Sequence, residues 1–177
     1  MFVKKDMDIL WLRDPFPQFD PDADFQIACD LFFNGNLSDT HNTANGGFKF
    51  VISNRKTIKF YNYWYESRLR FPGKNEQKVL NRIKADQYVK KIGLKIRFLD
   101  MTHFGNFCQR HWDITKICIM HGNCCFGQES KLKDLRQMME DWTSFVSNGN
   151  RKGGFRQQMN CPRSFRQMFH KNHKRIG

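Results

Sequence analysis

Asp6-Met7-Asp8-Ile9-Leu10-Trp11-Leu12, followed by Arg13-Asp14-Pro15-Phe16-Pro17, decides how the rest of the chain is read. Side chains at i and i+2 of a strand share one face, so Asp6 and Asp8 are expected to aim two carboxylates the same way. The apolar run beside them reads as buried. Two like charges at the lip of a core repel unless a cation bridges them. Mg²⁺ and Mn²⁺ take oxygen ligands and keep positions open for substrate phosphates. The plainer alternative is two solvated carboxylates ahead of a buried strand.

Working outward, Asp14-Pro15-Phe16-Pro17 ends regular structure, because each proline removes a backbone donor. Phe25-Gln26-Ile27-Ala28-Cys29 alternates at period two and reads as a strand closed by Asp30. Residues 34–47 read as a polar loop that ends in Asn45-Gly46-Gly47, just before a strand over 48–52. Two glycines let a backbone approach a ligand, and Asn45 offers both donor and acceptor, though an ordinary turn reads the same way. Ser53 or Asn54 is expected to cap a helix carrying Ile58, Tyr61, Trp64, Tyr65 and Leu69 on one face. A second helix opens at Asn75-Glu76-Gln77, with Val79, Leu80 and Ile83 inward. Leu94 to Leu99 alternates as a strand, and 100–116 reads as a loop. Ile117, Ile119 and His121 share a face of a short strand, within Ile119-Met120-His121-Gly122-Asn123-Cys124-Cys125. A helix over 129–146 presents Leu132, Leu135, Met138, Met139, Trp142 and Phe145 as a core stripe.

Four of these segments, in order, resemble the plant nucleotide-diphospho-sugar transferase domain, the family of the cell-wall xylosyl- and arabinosyltransferases. They are Asp6-x-Asp8-Ile-Leu-Trp, Asp24-Phe-Gln-Ile-Ala-Cys-Asp30, Asn45-Gly46-Gly47 and Met120-His121-Gly122-Asn123-Cys124-Cys125. The likeness runs from about Asp6 to Phe145. It implies an α/β architecture, the C-terminal portion of a GT-A-like fold with a mixed sheet flanked by helices. By resemblance, Asp6, Asp8 and His121 hold Mn²⁺ or Mg²⁺. Asn45, Gly46, Gly47 and Asp6 border the substrate, and Gln77 and Glu76 stand at the catalytic position. The family has Asp where this chain has Glu76, which lengthens the carboxylate's reach by one methylene.

The resemblance also implies a nucleotide-sugar donor, a glycan or glycoprotein acceptor and a Golgi lumen or membrane setting. No specific nucleic-acid partner is expected. The family's first βαβ units, stem and membrane anchor have no counterpart here, and Lys4-Lys5 stands where an apolar strand should feed the acidic pair. On that reading the chain is an N-terminally truncated member, poorly soluble and without transfer activity of its own.

Composition narrows the alternatives. The chain has 177 residues, enough for one domain with a core, and no run approaches the roughly 18 apolar residues of a membrane span. The net charge of +13 is uneven. Residues 151–177 hold eight basic side chains and no acid, leaving 22 basic against 17 acidic residues, +5, for residues 1–150. Residues 1–147 are therefore read as the partial transferase domain and 148–177 as a basic, poorly ordered tail, dispensable for folding. The tail suits anionic partners non-specifically. Two rival functions follow, a basic nucleic-acid-binding module and a metal-independent glycosidase with paired carboxylates. The six cysteines lack structural-zinc spacing and suit disulfides of an oxidising compartment, as does the sequon Asn36-Leu37-Ser38.

Overall fold

A computed structural model describes residues 1–33, 35–110, 112–149 and 153–162. The architecture is α/β, with mixed sheets flanked by helices, and it divides into two compact units.

The first unit comprises Met1–Asp6 and Phe16–Asp100. Its strands are β1 (Phe2–Lys5), β3 (Phe25–Leu31), β4 (Thr43–Val51) and β5 (Ile96–Phe98), in the order β1-β4-β3-β5. β4 runs antiparallel to both neighbours, and β5 runs parallel to β3. Lys4 and Lys5 do not interrupt the fold, since β1 is an edge strand and lysines there discourage pairing with another chain. α1 (Arg55–Ser67), α2 (Glu76–Ile83) and the short α3 (Gln87–Lys91) follow. Phe25, Ile27, Phe60, Leu80, Ile83 and Phe98 are almost wholly buried in its core.

Asn54 caps α1 as expected. Its side chain accepts from the Lys56 and Thr57 amides, and Thr57 Oγ1 accepts from the Asn54 amide in return. The helix buries a different face from the expected one. Thr57, Phe60, Trp64 and Ser67 point inward, whereas Ile58, Tyr65 and Leu69 are exposed.

Asp24 ties three elements of this unit together. Its carboxylate accepts from Asn54 Nδ2 at 2.7 Å, from the Lys95 amide at 2.9 Å and from Lys56 Nζ at 3.3 Å. Burial alone would raise its pKa, but the Lys95 amide, Asn54 and Lys56 outweigh it and hold the carboxyl below its ordinary value of 3.8. Asp24→Ala leaves these donors without their acceptor, and we expect a loss of about 2–4 kcal/mol in urea unfolding at pH 7. A depressed carboxyl stabilises above the unfolded value and loses that contribution as pH falls through the folded one. The gap between wild type and variant should therefore close below about pH 4, and a gap that persists unchanged into acid would refute this account.

The second unit comprises Met7–Pro15 and the described residues from Met101 onward. β2 (Ile9–Trp11), β6 (Phe104–Asn106) and β7 (Ile119–His121) form a sheet in the order β2-β7-β6. β7 is antiparallel to β2 and parallel to β6. α4 (Gln128–Ser147) covers it, with Leu135 and Met138 packed on Leu12, Phe107, Ile117 and Met120. Leu132 and Met139, expected in the core, are exposed.

Cys108 pairs with Cys124 and Cys125 with Cys161, while Cys29 and Cys118 are buried thiols. Both adjacent cysteines are thus consumed by disulfides. The expectation of an unpacked tail fails for residues 153–162. Phe155 packs on the second core and Gln158 and Cys161 are buried. The tail's remaining residues, 150–152 and 163–177, lie outside the described ones. Among the described residues no helix is long and apolar enough to cross a membrane.

Candidate functional site

In the second unit the site is built by the pairing of β2 with β7. Ile9 stands opposite His121, and the Gly122 amide donates to the Asp8 carbonyl at 2.9 Å. The residue just before β2 is thereby placed beside the residue that ends β7. Asp8 Oδ1 lies 3.2 Å from His121 Nε2, and Asp8 Oδ2 takes Lys131 Nζ at 2.6 Å. Lys131 comes from the first turns of α4, which approaches closely because residue 122 is glycine. A Cβ there would meet the Leu135 and Lys131 side chains at 3.2 Å.

The hydrogen bond with His121 is the largest influence on Asp8. Together with Lys131 it outweighs burial and holds the carboxyl far below the ordinary carboxylate range. His121 is only 5% exposed, and its Nδ1 is buried with no hydrogen-bond partner among the described residues. A buried ring nitrogen without a partner leaves an imidazole with coordinating or hydrogen-bonding capacity to spare. One imidazole and one carboxylate are donors that suit Mn²⁺, Mg²⁺ or Zn²⁺. Their 3.2 Å spacing fits two adjacent ligands at about 2.1 Å from one ion, which sit about 3 Å apart. The residues present therefore fit a divalent cation.

A second network lies wholly within the first unit. Register shifts in the β3–β4 ladder put Ile27 and Cys29 opposite Lys49 and Ala44, so β4 carries extra residues between them. Those residues include Asn45-Gly46-Gly47. The segment expected as the end of a loop thus lies inside β4, at a bulge, a feature that re-aims side chains. Asp30, near the end of β3, accepts from Asn45 Nδ2 at 2.7 Å and from Gln77 Nε2 at 2.8 Å. Gln77 Oε1 takes the Gly46 amide at 3.0 Å, and Asn45 Oδ1 takes the Gly47 amide at 2.7 Å. Lys4 Nζ donates to the Gly46 carbonyl and is ion-paired with Asp6, whose amide donates to the Gly47 carbonyl. Asp6 falls not on a strand but between β1 and β2, and Asp8 is likewise in the turn.

The sequence profile of nucleotide-diphospho-sugar transferases matches residues 1–135. The chain belongs to this family. An uncharacterized protein of Arabidopsis thaliana is 51% identical over 151 residues, covering 83% of this chain and 41% of the relative. A second uncharacterized Arabidopsis thaliana protein is 33% identical over 162 residues, covering 90% and 47%. The chain therefore spans less than half the length of these curated relatives. No solved structure matches it.

In this family member the structure brings Asp8 to His121, and gathers Asn45, Gly46 and Gly47 with Gln77 in the network around Asp30. Glu76 stands apart from the Asp30 network, exposed at the start of α2, where its carbonyl accepts from Trp64 Nε1. Two residues escaped the sequence reading. Asp30 reads there only as the end of a strand, although it closes the matched Asp-Phe-Gln-Ile-Ala-Cys-Asp segment. Lys131 falls within the expected helix over 129–146 but outside its apolar stripe, and nothing in its local pattern announces Asp8, 123 residues away in the chain.

Proposed function

We propose that this transferase holds the diphosphate of a nucleotide-sugar through a divalent cation, Mn²⁺ or Mg²⁺, ligated by Asp8 and His121. Asp6, two residues back along the chain, is the motif's other carboxylate and the third proposed ligand. The observation that carries this reading is the placing of Asp8 Oδ1 3.2 Å from His121 Nε2, the spacing of two adjacent ligands. When bound, the cation would act as a Lewis acid on the leaving diphosphate. Lys131, already on Asp8, adds a fixed positive charge beside that carboxylate.

Asp30 fixes the amides of Asn45 and Gln77, so both are preorganised to meet sugar hydroxyls rather than free to swing. Gly46 and Gly47 offer backbone on the same rim, and Glu76 a carboxylate at the start of α2. The acceptor proposed is a glycan or glycoprotein of the plant cell wall, and the compartment the Golgi lumen, in keeping with two disulfides that need an oxidising setting.

The test is thermodynamic coupling between metal and diphosphate. UDP should bind at least tenfold more tightly with Mn²⁺ than with EDTA by calorimetry, and His121→Ala should remove that difference. UDP affinity indifferent to Mn²⁺ would overturn the metal reading.

A further inference from the structure

One face of the first unit carries a cleft of about 380 Å³ that the roles above leave unused, apart from Glu76. That is within the range of small-molecule pockets. Trp64 and Tyr65 from α1, Arg68 just after it, Lys74 just before α2, Glu76 at its start, and Lys49 from β4 line it. Lys49 is unusual. It is only 8% exposed, its ammonium sits 4.7 Å from the Trp64 ring and 5.7 Å from Tyr61, and it has no hydrogen bond or ion pair among the described residues. Burial pushes its pKa down to about 8, Lys4 adds to the push, and Glu76 and Asp6 oppose it. A buried ammonium held only by aromatic faces is incompletely compensated, and an anion entering the cleft would complete it.

The rest of the lining indicates what kind of anion. Tyr65 is 64% exposed and Arg68 stacks on it at 3.5 Å, giving a flat, amphipathic wall. Flat aromatic walls suit the CH-bearing face of a pyranose ring. Lys49, Arg68 and Lys74 supply three positive charges against the one carboxylate of Glu76. Glu76 disfavours a dianionic phosphate but accepts hydrogen bonds from sugar hydroxyls.

We propose that this cleft binds a carboxylated sugar, a uronate residue of an acidic glycan, with Lys49 and Arg68 on the carboxylate and Tyr65 against the ring. As a binding site it stands on the cleft alone. As an acceptor subsite it rests on the transferase reading above.

Calorimetry with a tetramer of 1,4-linked galacturonate, against the same tetramer fully methyl-esterified, tests it. The acidic tetramer should bind, and esterification should weaken binding at least tenfold. Lys49→Met and Arg68→Ala should each weaken it at least fivefold. Lys49→Met removes a buried charge and should keep or raise the thermal midpoint, so lost binding cannot be ascribed to unfolding. In Asp8→Asn, Mn²⁺-dependent UDP binding should fail while tetramer binding persists, which separates this inference from the metal reading. Equal affinity for the two tetramers, no binding of either, no effect of both variants, or displacement of the tetramer by UDP would each overturn the proposal.

Discussion

Asp8→Asn should lower Mn²⁺ affinity about a hundredfold or more, while Lys131→Met should leave it unchanged or raise it. The two substitutions dismantle the same ion pair, so a purely structural role for that pair predicts losses in both. A metal role predicts opposite signs. Asn keeps the shape of Asp but loses the charge and one good ligand oxygen, and disturbing even a supporting residue of a metal site costs 10–100-fold. Lys131, in contrast, holds Asp8 Oδ2 at 2.6 Å with a positive charge that repels any cation sharing the carboxylate. Quenching of the free Mn²⁺ electron paramagnetic signal reads affinity without turnover or donor. The stability cost of Asp8→Asn should be modest, about 1–2 kcal/mol, because Lys131 can turn to solvent. That contribution is present above the ordinary carboxyl value of 3.8 and is lost as pH falls toward the lower folded value. Matching losses of Mn²⁺ affinity in both variants would sink the metal assignment.

How much of this was legible beforehand differs from residue to residue. The Asp8–His121 meeting was, because each residue borders a short apolar strand and each lies in a motif matched to the family. The strand identity of Asn45-Gly46-Gly47 was not. Glycine and asparagine read locally as loop, and only the bulged pairing with β3 recruits them into β4. β6 was invisible for a related reason. Phe104-Gly105-Asn106 is buried throughout, so it shows no alternation, and Gly105 is there for space. A Cβ at 105 would lie 2.6 Å from Met120 Cε and 2.7 Å from Ile117 Cδ1. On α1, reading apolar side chains as the inner face failed because two inward positions are polar. Thr57 is buried by its role in the capping box, and Ser67 is buried at the helix end, so of the expected residues Trp64 is buried and Tyr61 half-buried against the core, while Ile58, Tyr65 and Leu69 face outward.

Deleting residues 149–177 should destabilise the oxidised protein by about 4–6 kcal/mol, the reverse of what a basic segment without apolar periodicity suggests. The Cys125–Cys161 bond spans 36 residues, and closing a loop of that length is worth about 4 kcal/mol in chain entropy. Asp134 adds to this. It is fully buried in α4 and accepts from Asn160 Nδ2 at 2.7 Å, the Cys161 amide at 2.8 Å and the Asn160 amide at 3.2 Å. Without the segment those three donors vanish, and an unsatisfied buried acceptor costs about 1–3 kcal/mol. Phe155 contributes apolar contact to the cluster around Met138. The Arg156 pairs with Glu140 and Asp141 contribute less, since the guanidinium is half exposed. For a chain of this size the deletion should lower the thermal midpoint by about 10–20 °C. Cys161→Ser in the full chain should reproduce most of the fall, and Asn160→Ala a smaller part. Reduction with dithiothreitol should bring wild type down to the serine variant and leave that variant nearly where it was, apart from the Cys108–Cys124 contribution common to both. A deletion that unfolds at the wild-type temperature would show that residues 153–162 merely rest on α4, and that Asp134 is satisfied from elsewhere.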